Sequence, residues 1–132
     1  MDQQAGGSPT QQQGWQAEDV ALNHLQSQGL SLVARNFHCR LGEIDLILCD
    51  QQVLIFAEVR MRRSQRFGGA AASVTRRKQM RLIRAAERFL QTHVEWQRHH
   101  CRFDVIAIQY PADAGSDSQG AVIEWIQGAF RA

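Results

Sequence analysis

The residues best suited to chemistry lie in one stretch, Gly42–Arg60. It reads Gly-Glu-Ile-Asp-Leu-Ile-Leu-Cys-Asp, then Gln-Gln, then Val-Leu-Ile-Phe-Ala-Glu-Val-Arg. The Ile, Leu, Val and Phe content suits two largely buried β-strands joined by a tight polar turn. Asp45 and Glu58 stand where such strands normally carry apolar side chains. A buried carboxylate is unfavourable unless it is paired, protonated or bound to a metal. If Gln51 and Gln52 form a two-residue loop, Asp50 faces Val53, Asp45 faces Glu58 and Glu43 faces Arg60. Opposed side chains lie about 5 Å apart at Cβ. Two ionised carboxylates at that distance repel by roughly 3 kcal/mol at an effective dielectric near 20. A divalent cation or a shared proton relieves that repulsion. A four-residue loop keeps the pairing and a three-residue loop destroys it. Asp-Gln-Gln-Val is not a strong turn signature, so the turn alone leaves both registers open.

A third acid and a basic run flank this stretch. Glu18 lies three residues after Trp15 and four before Leu22, inside the apolar stripe of an N-terminal helix. It either points towards the hairpin or reaches solvent from the stripe edge. Between positions 60 and 88 lie Arg60, Arg62, Arg63, Arg66, Arg76, Arg77, Lys78, Arg81, Arg84 and Arg88, against the single acid Glu87. That asymmetry, in a chain of net charge +2, points to a polyanion-facing surface. A solvated helix face and a charged loop give the same pattern. The preference for Arg favours phosphate, which a guanidinium binds bidentately.

The elements that must position these groups follow from periodicity and punctuation. Apart from Met1, residues 1–13 contain no large apolar residue and read as a disordered tail, leaving 14–132 as a single domain. Gly14–Gln28 reads as a helix stopped by Gly29, with Trp15, Ala21, Leu22 and Leu25 inward. Ser31–Phe37 is a first strand, and the hairpin follows. Met61–Ser73 is a loop carrying Arg62, Arg63, Arg66 and a Gly68-Gly69 pair. Thr75 is an N-cap for a helix to about His93, with Leu82, Ile83, Ala86, Phe89 and Leu90 on its apolar face. Arg77, Arg81, Arg84 and Arg88 form a basic stripe on another face. Arg76-Arg77-Lys78 add cations to the positive end of the helix dipole. Cys101–Gln109 and Ala121–Ile126 are the last strands, joined by a polar loop over Pro111–Gly120. The order helix, three strands, helix, two strands implies an α/β fold, a mixed sheet flanked by helices.

Other chemistry is excluded or unsupported. No apolar run approaches a membrane span, and the N-terminus lacks a secretory pattern, so the expected location is cytoplasmic. Cys39, Cys49 and Cys101 are isolated, with no CxxC pair, and read as small core residues of a reduced compartment. His24, His38, His93, His99 and His100 share no ligand spacing with them. Gly68-Gly69 lacks the strand-GxxxxGK-helix context of a phosphate loop.

The motifs GEIDLI, FAEVR, GGAAASVTRRKQ and RFDVIAI, after a helix bearing a Glu, resemble the uncharacterised bacterial YraN family. Its members look like the restriction-endonuclease-like PD-(D/E)xK superfamily, related to Holliday junction resolvase-type enzymes. The resemblance implies that Asp45 and Glu58 bind Mg²⁺ or Mn²⁺, that Glu18 is the helix acid, and that Arg60 stands at the catalytic lysine position. Arg stays protonated above pH 12, so it stabilises charge but cannot act as a base. The expectation is a nucleic-acid-binding protein, acting on branched or single-stranded DNA if it is a metal-dependent endonuclease. Arg62, Arg63, Arg66, Arg76, Arg77, Lys78, Arg81 and Arg84 would contact the backbone. The alternative is an inactive adaptor that keeps the fold. Membrane binding is not expected, because the apolar face of the basic helix is committed to the core. The oligomeric state, homodimer included, stays open.

Overall fold

The computed structural model describes residues 9–62, 74–110 and 120–132, with the side chains of 9–15 and of Arg62 outside that description. Helix α1 spans Pro9–Ser27, and strands β1 (Ser31–Cys39), β2 (Gly42–Asp50) and β3 (Val53–Arg62) follow. Helix α2 (Arg76–Thr92) leads through a 3₁₀ turn at Val94–Trp96 to β4 (His100–Gln109) and β5 (Val122–Phe130). The sheet order is β1-β2-β3-β4-β5. β3 and β4 are parallel and the other neighbours antiparallel, giving the expected mixed sheet. A parallel pair needs a crossover, and α2 supplies it.

The alternation of β4 shows how the layers sit. Phe103, Val105 and Ala107 pack with Leu82, Ile83, Ala86 and Phe89 of α2. Ile106 and Ile108 pack with Ala17, Ala21 and Leu25 of α1. The helices therefore cover opposite sheet faces, as period-two side chains require.

Several boundaries move. α1 begins at Pro9, so residues 9–13, expected in the tail, are helical, while residues 1–8 lie outside the description. Proline is well suited to a first helical turn, where its missing N–H has no partner to lose. Gly29 (φ +97°) ends the helix, with the Leu30 amide donating to the Leu25 carbonyl. β3 runs on to Arg62 and β5 to Phe130, past the expected Arg60 and Ile126. Cys101 is exposed, and Cys39 and Cys49 are only half-buried, which corrects their reading as core residues. They lie at or near strand ends.

The seat of α2 on the sheet is fixed by backbone contact. A Cβ on Gly42 would collide with the Arg81 carbonyl, so only glycine lets the start of β2 approach the helix this closely. Thr75 caps α2, its hydroxyl accepting from the Lys78 amide at 3.2 Å.

Candidate acidic site and basic cleft

The hairpin register is the one that a two-residue loop dictates. Asp50↔Val53, Cys49↔Leu54, Leu48↔Ile55, Ile47↔Phe56 and Leu46↔Ala57 pair in turn. Gln51 takes the left-handed φ of +56° that such turns favour at their first position. The ladder ends at Leu46↔Ala57, one step short of Asp45 and Glu58. There Asp45 Oδ2 accepts a hydrogen bond from the Val59 amide at 2.8 Å.

The strands are irregular at the same level. Ile44 packs in the α2-side cluster and Leu46 in the α1-side cluster, so strict alternation fails across Asp45. In β1, Asn36 (φ +56°) lies between the paired positions Arg35↔Leu46 and Phe37↔Ile44. This break lets Asp45 lie within electrostatic reach of acids on both helix-covered sides, Glu18 and Glu58.

Burial, then the neighbouring Glu58 carboxylate, push the Asp45 proton affinity up to about pKa 8; Glu18 adds to this, and the Val59 hydrogen bond opposes it. Glu58 is 4% exposed. Its Oε2 lies 3.1 Å from Lys78 Nζ and 3.6 Å from Arg60 Nη1. Glu18 is raised by burial against the pull of Arg35, whose Nε lies 3.3 Å from its Oε1. With its amide nitrogen turned inward, Asn36 donates to both Glu18 oxygens at 3.1 and 3.3 Å. Arg35 also binds Asp19 at 2.6 Å. Glu18 is thus the expected acid within the helix stripe, held by β1.

The structure brings Asp45, Glu58, Arg60 and Lys78 together, with Glu18 on the far side of Asp45. Glu43, expected across from Arg60, pairs with His38 in the ladder, its Oε2 3.2 Å from His38 Nδ1. Arg77, Lys78, Arg81, Thr75, Glu43 and Leu82 line a cleft of about 260 Å³ beside the site. Arg76, Arg81 and Arg84 are exposed on α2. Arg63 and Arg66 lie outside the described residues, as does the side chain of Arg62. A larger cleft of about 660 Å³, lined by Phe89, His93 and Trp96, lies at the other end of α2 and contains none of the expected site residues.

Sequence reasoning placed Lys78 on the basic surface and missed its contact with Glu58. Its position in the first turn after an N-cap was readable, but the crossing of α2 over β3 was not. It also missed Asp104, which is fully buried. Asp104 accepts from Arg102 Nε (2.8 Å) and Nη2 (3.0 Å), Trp125 Nε1 (2.9 Å) and the Gly128 amide (2.9 Å). That carboxylate is satisfied structurally, where the β4–β5 register shifts between Phe103 and Val105.

Asp45 and Glu58 offer hard oxygen donors only, and this suits Mg²⁺ or Mn²⁺, with Mg²⁺ commonly keeping water and using one or two protein carboxylates. Among the described residues no group of three or more His, Cys, Asp and Glu side chains is arranged to hold a metal. The donor set therefore fits a cation shared with water and substrate oxygens, not an all-protein cage.

The fold and site define a mixed α/β domain with an acidic pair, Glu58 buried and Asp45 half-buried, beside a basic cleft. The chain belongs to UPF0102, an uncharacterised protein family, whose model matches residues 17–108. It is 54% identical over 118 residues to a UPF0102 protein of Alcanivorax borkumensis, covering 89% of this chain and 90% of that one. It is 47% identical over 123 residues to one of Stutzerimonas stutzeri, covering 93% and 98%. No helix among the described residues is long and apolar enough to cross a membrane.

Proposed function

We propose that this protein binds nucleic acid, most specifically DNA, and hydrolyses its phosphodiesters with Mg²⁺ or Mn²⁺ as a PD-(D/E)xK-type, Holliday junction resolvase-related endonuclease. The observation that carries the reading is the meeting of Asp45 with Glu58 just past the last pair of the hairpin ladder, close enough that the Glu58 carboxylate helps to hold a proton on Asp45. The basic cleft beside the pair suits a backbone phosphate.

Asp45 and Glu58 would hold the cation, and the cation supplies Lewis acidity at a phosphoryl oxygen. The Val59 amide fixes the orientation of Asp45, and Glu18 sets the field on its other side. Arg60 stabilises negative charge as a water oxygen bonds to phosphorus and the bond to the leaving sugar oxygen breaks. The water gives up its proton to solvent and the leaving oxygen takes one up. Arg77, Arg81 and Arg84, with Arg62, Arg63, Arg66 and Arg76, hold the backbone without reading bases.

Cleavage of junction, flap, single-stranded and linear DNA tests the reading, using Asp45→Asn and Glu58→Gln as controls. Metal-dependent cleavage of branched or single-stranded substrate, lost by at least about 100-fold in both variants, is expected. Equal cleavage by wild type and both variants would sink it.

One observation favours a second reading, that of a non-catalytic adaptor. Lys78 and Arg60 already compensate Glu58, so the site can stand without a metal. Nucleic-acid binding with no Mn²⁺ site and no cleavage would select it.

A further inference from the structure

We infer that Lys78, on the first turn of α2, is the working amine of this site, in the place that the strand pattern gives to Arg60. The inference rests on the metal-dependent reading above. Both cations approach the same oxygen, Glu58 Oε2, but Lys78 Nζ is nearer, at 3.1 Å against 3.6 Å for Arg60 Nη1.

The backbone that carries Lys78 is held on two sides. Its amide donates to the Thr75 cap, and one turn later the Arg81 carbonyl abuts Gly42. The ammonium also has a second outlet. Lys78 lines the basic cleft with Arg77 and Arg81, and its side chain is 40% exposed. It therefore lies at the boundary between the carboxylate pair and the space where a phosphate would enter.

Chemistry separates the two cations further. An ammonium carries three donors on a rotatable head, so one can hold Glu58 while the others meet a water or a phosphoryl oxygen. A guanidinium presents its donors in a fixed planar fork. Contact with a buried carboxylate ties this lysine to the acidic pair as well as to the cleft.

The test uses the full chain with Lys78→Met, Lys78→Arg and the double variant Arg60→Lys/Lys78→Met. It reads Mn²⁺ affinity by electron paramagnetic resonance, DNA affinity in Ca²⁺, and cleavage at saturating DNA. Lys78→Met should bind Mn²⁺ roughly 3–10-fold more tightly, because a positive charge beside Glu58 is gone. Its cleavage at saturation should fall by at least about 100-fold. Lys78→Arg keeps the charge, so Mn²⁺ affinity should stay near wild type while cleavage falls about tenfold or more. Restoring an amine on the strand, in the double variant, should recover at least about a tenth of the wild-type rate.

Unchanged Mn²⁺ affinity in Lys78→Met, with cleavage recovered at saturating DNA, would overturn the inference and leave Lys78 as a backbone contact. Tighter Mn²⁺ binding in a protein that cleaves no nucleic acid would overturn the phosphodiesterase reading and keep Lys78 at the metal site. A wild type that binds no Mn²⁺ overturns both.

Discussion

Asp45 Oδ2 receives the Val59 amide at 2.8 Å just past the last ladder pair of the β2–β3 hairpin. A side chain thus satisfies a backbone donor where the ladder has ended. The arrangement fixes a carboxylate beside Glu58 despite their repulsion. Its consequences are measurable.

Stability should fall as pH rises from about 4 to about 8. The unfolded Asp45 loses its proton near 3.8, whereas the folded one holds it to about 8. Between those values the native state binds more protons, so the slope of unfolding free energy against pH is negative. Asp45→Asn should flatten that slope and be at least about 1 kcal/mol more stable than wild type at pH 8. Urea unfolding at pH 5 and pH 8 reads both effects.

Metal binding should release protons. Near pH 7 much of the metal-free Asp45 population is protonated, and a cation requires the ionised form. Mn²⁺ affinity should therefore rise between pH 6 and about 8 and level off above the Asp45 titration. Calorimetry in buffers of different ionisation enthalpy counts the proton directly. A pH-independent affinity across that range would contradict the arrangement.

Nucleic-acid binding should depend steeply on salt and weakly on sequence. Arg81 and Arg77 line the cleft, and each phosphate contact releases counterions. Arg77→Ala and Arg81→Ala should each weaken binding about equally across sequences and lower the log–log salt slope by about 1. Fluorescence anisotropy between low and moderate salt checks this.

Two structural substitutions should be severe without altering Asp45 or Glu58. Asp104→Ala strands the Trp125 and Gly128 donors and takes from Arg102 the carboxylate it hydrogen-bonds, which should cost roughly 3–5 kcal/mol. Gly42→Ala drives a Cβ into the Arg81 carbonyl and should cost about 2 kcal/mol or more by displacing α2. Thermal denaturation measures both. Gly42→Ala should also disturb the Lys78–Glu58 contact, because Arg81, which Gly42 abuts, and Lys78 share α2.

Local interactions made much of this protein legible from its sequence. The Gln51-Gln52 turn offered, as one of two open registers, the one that carries Asp45 towards Glu58, since an even loop keeps that pairing and an odd one destroys it. Thr75 marked the start of α2 and Gly29 the end of α1, since caps answer to the nearest few residues. Cys101–Gln109 was readable as a strand, and the structure buries both its faces, Phe103, Val105 and Ala107 towards α2 and Ile106 and Ile108 towards α1. Long-range geometry decided the rest. The chain order of Glu58 and Lys78 says nothing of their 3.1 Å contact, which depends on where α2 crosses the sheet after a parallel connection. Likewise, Asp45 feels Glu18 at a point where alternation breaks, Ile44 packing on the α2 side and Leu46 on the α1 side. Sequence determined which acids share a hairpin. Tertiary structure decided that burial keeps a proton on Asp45 and that Lys78 stands beside Glu58.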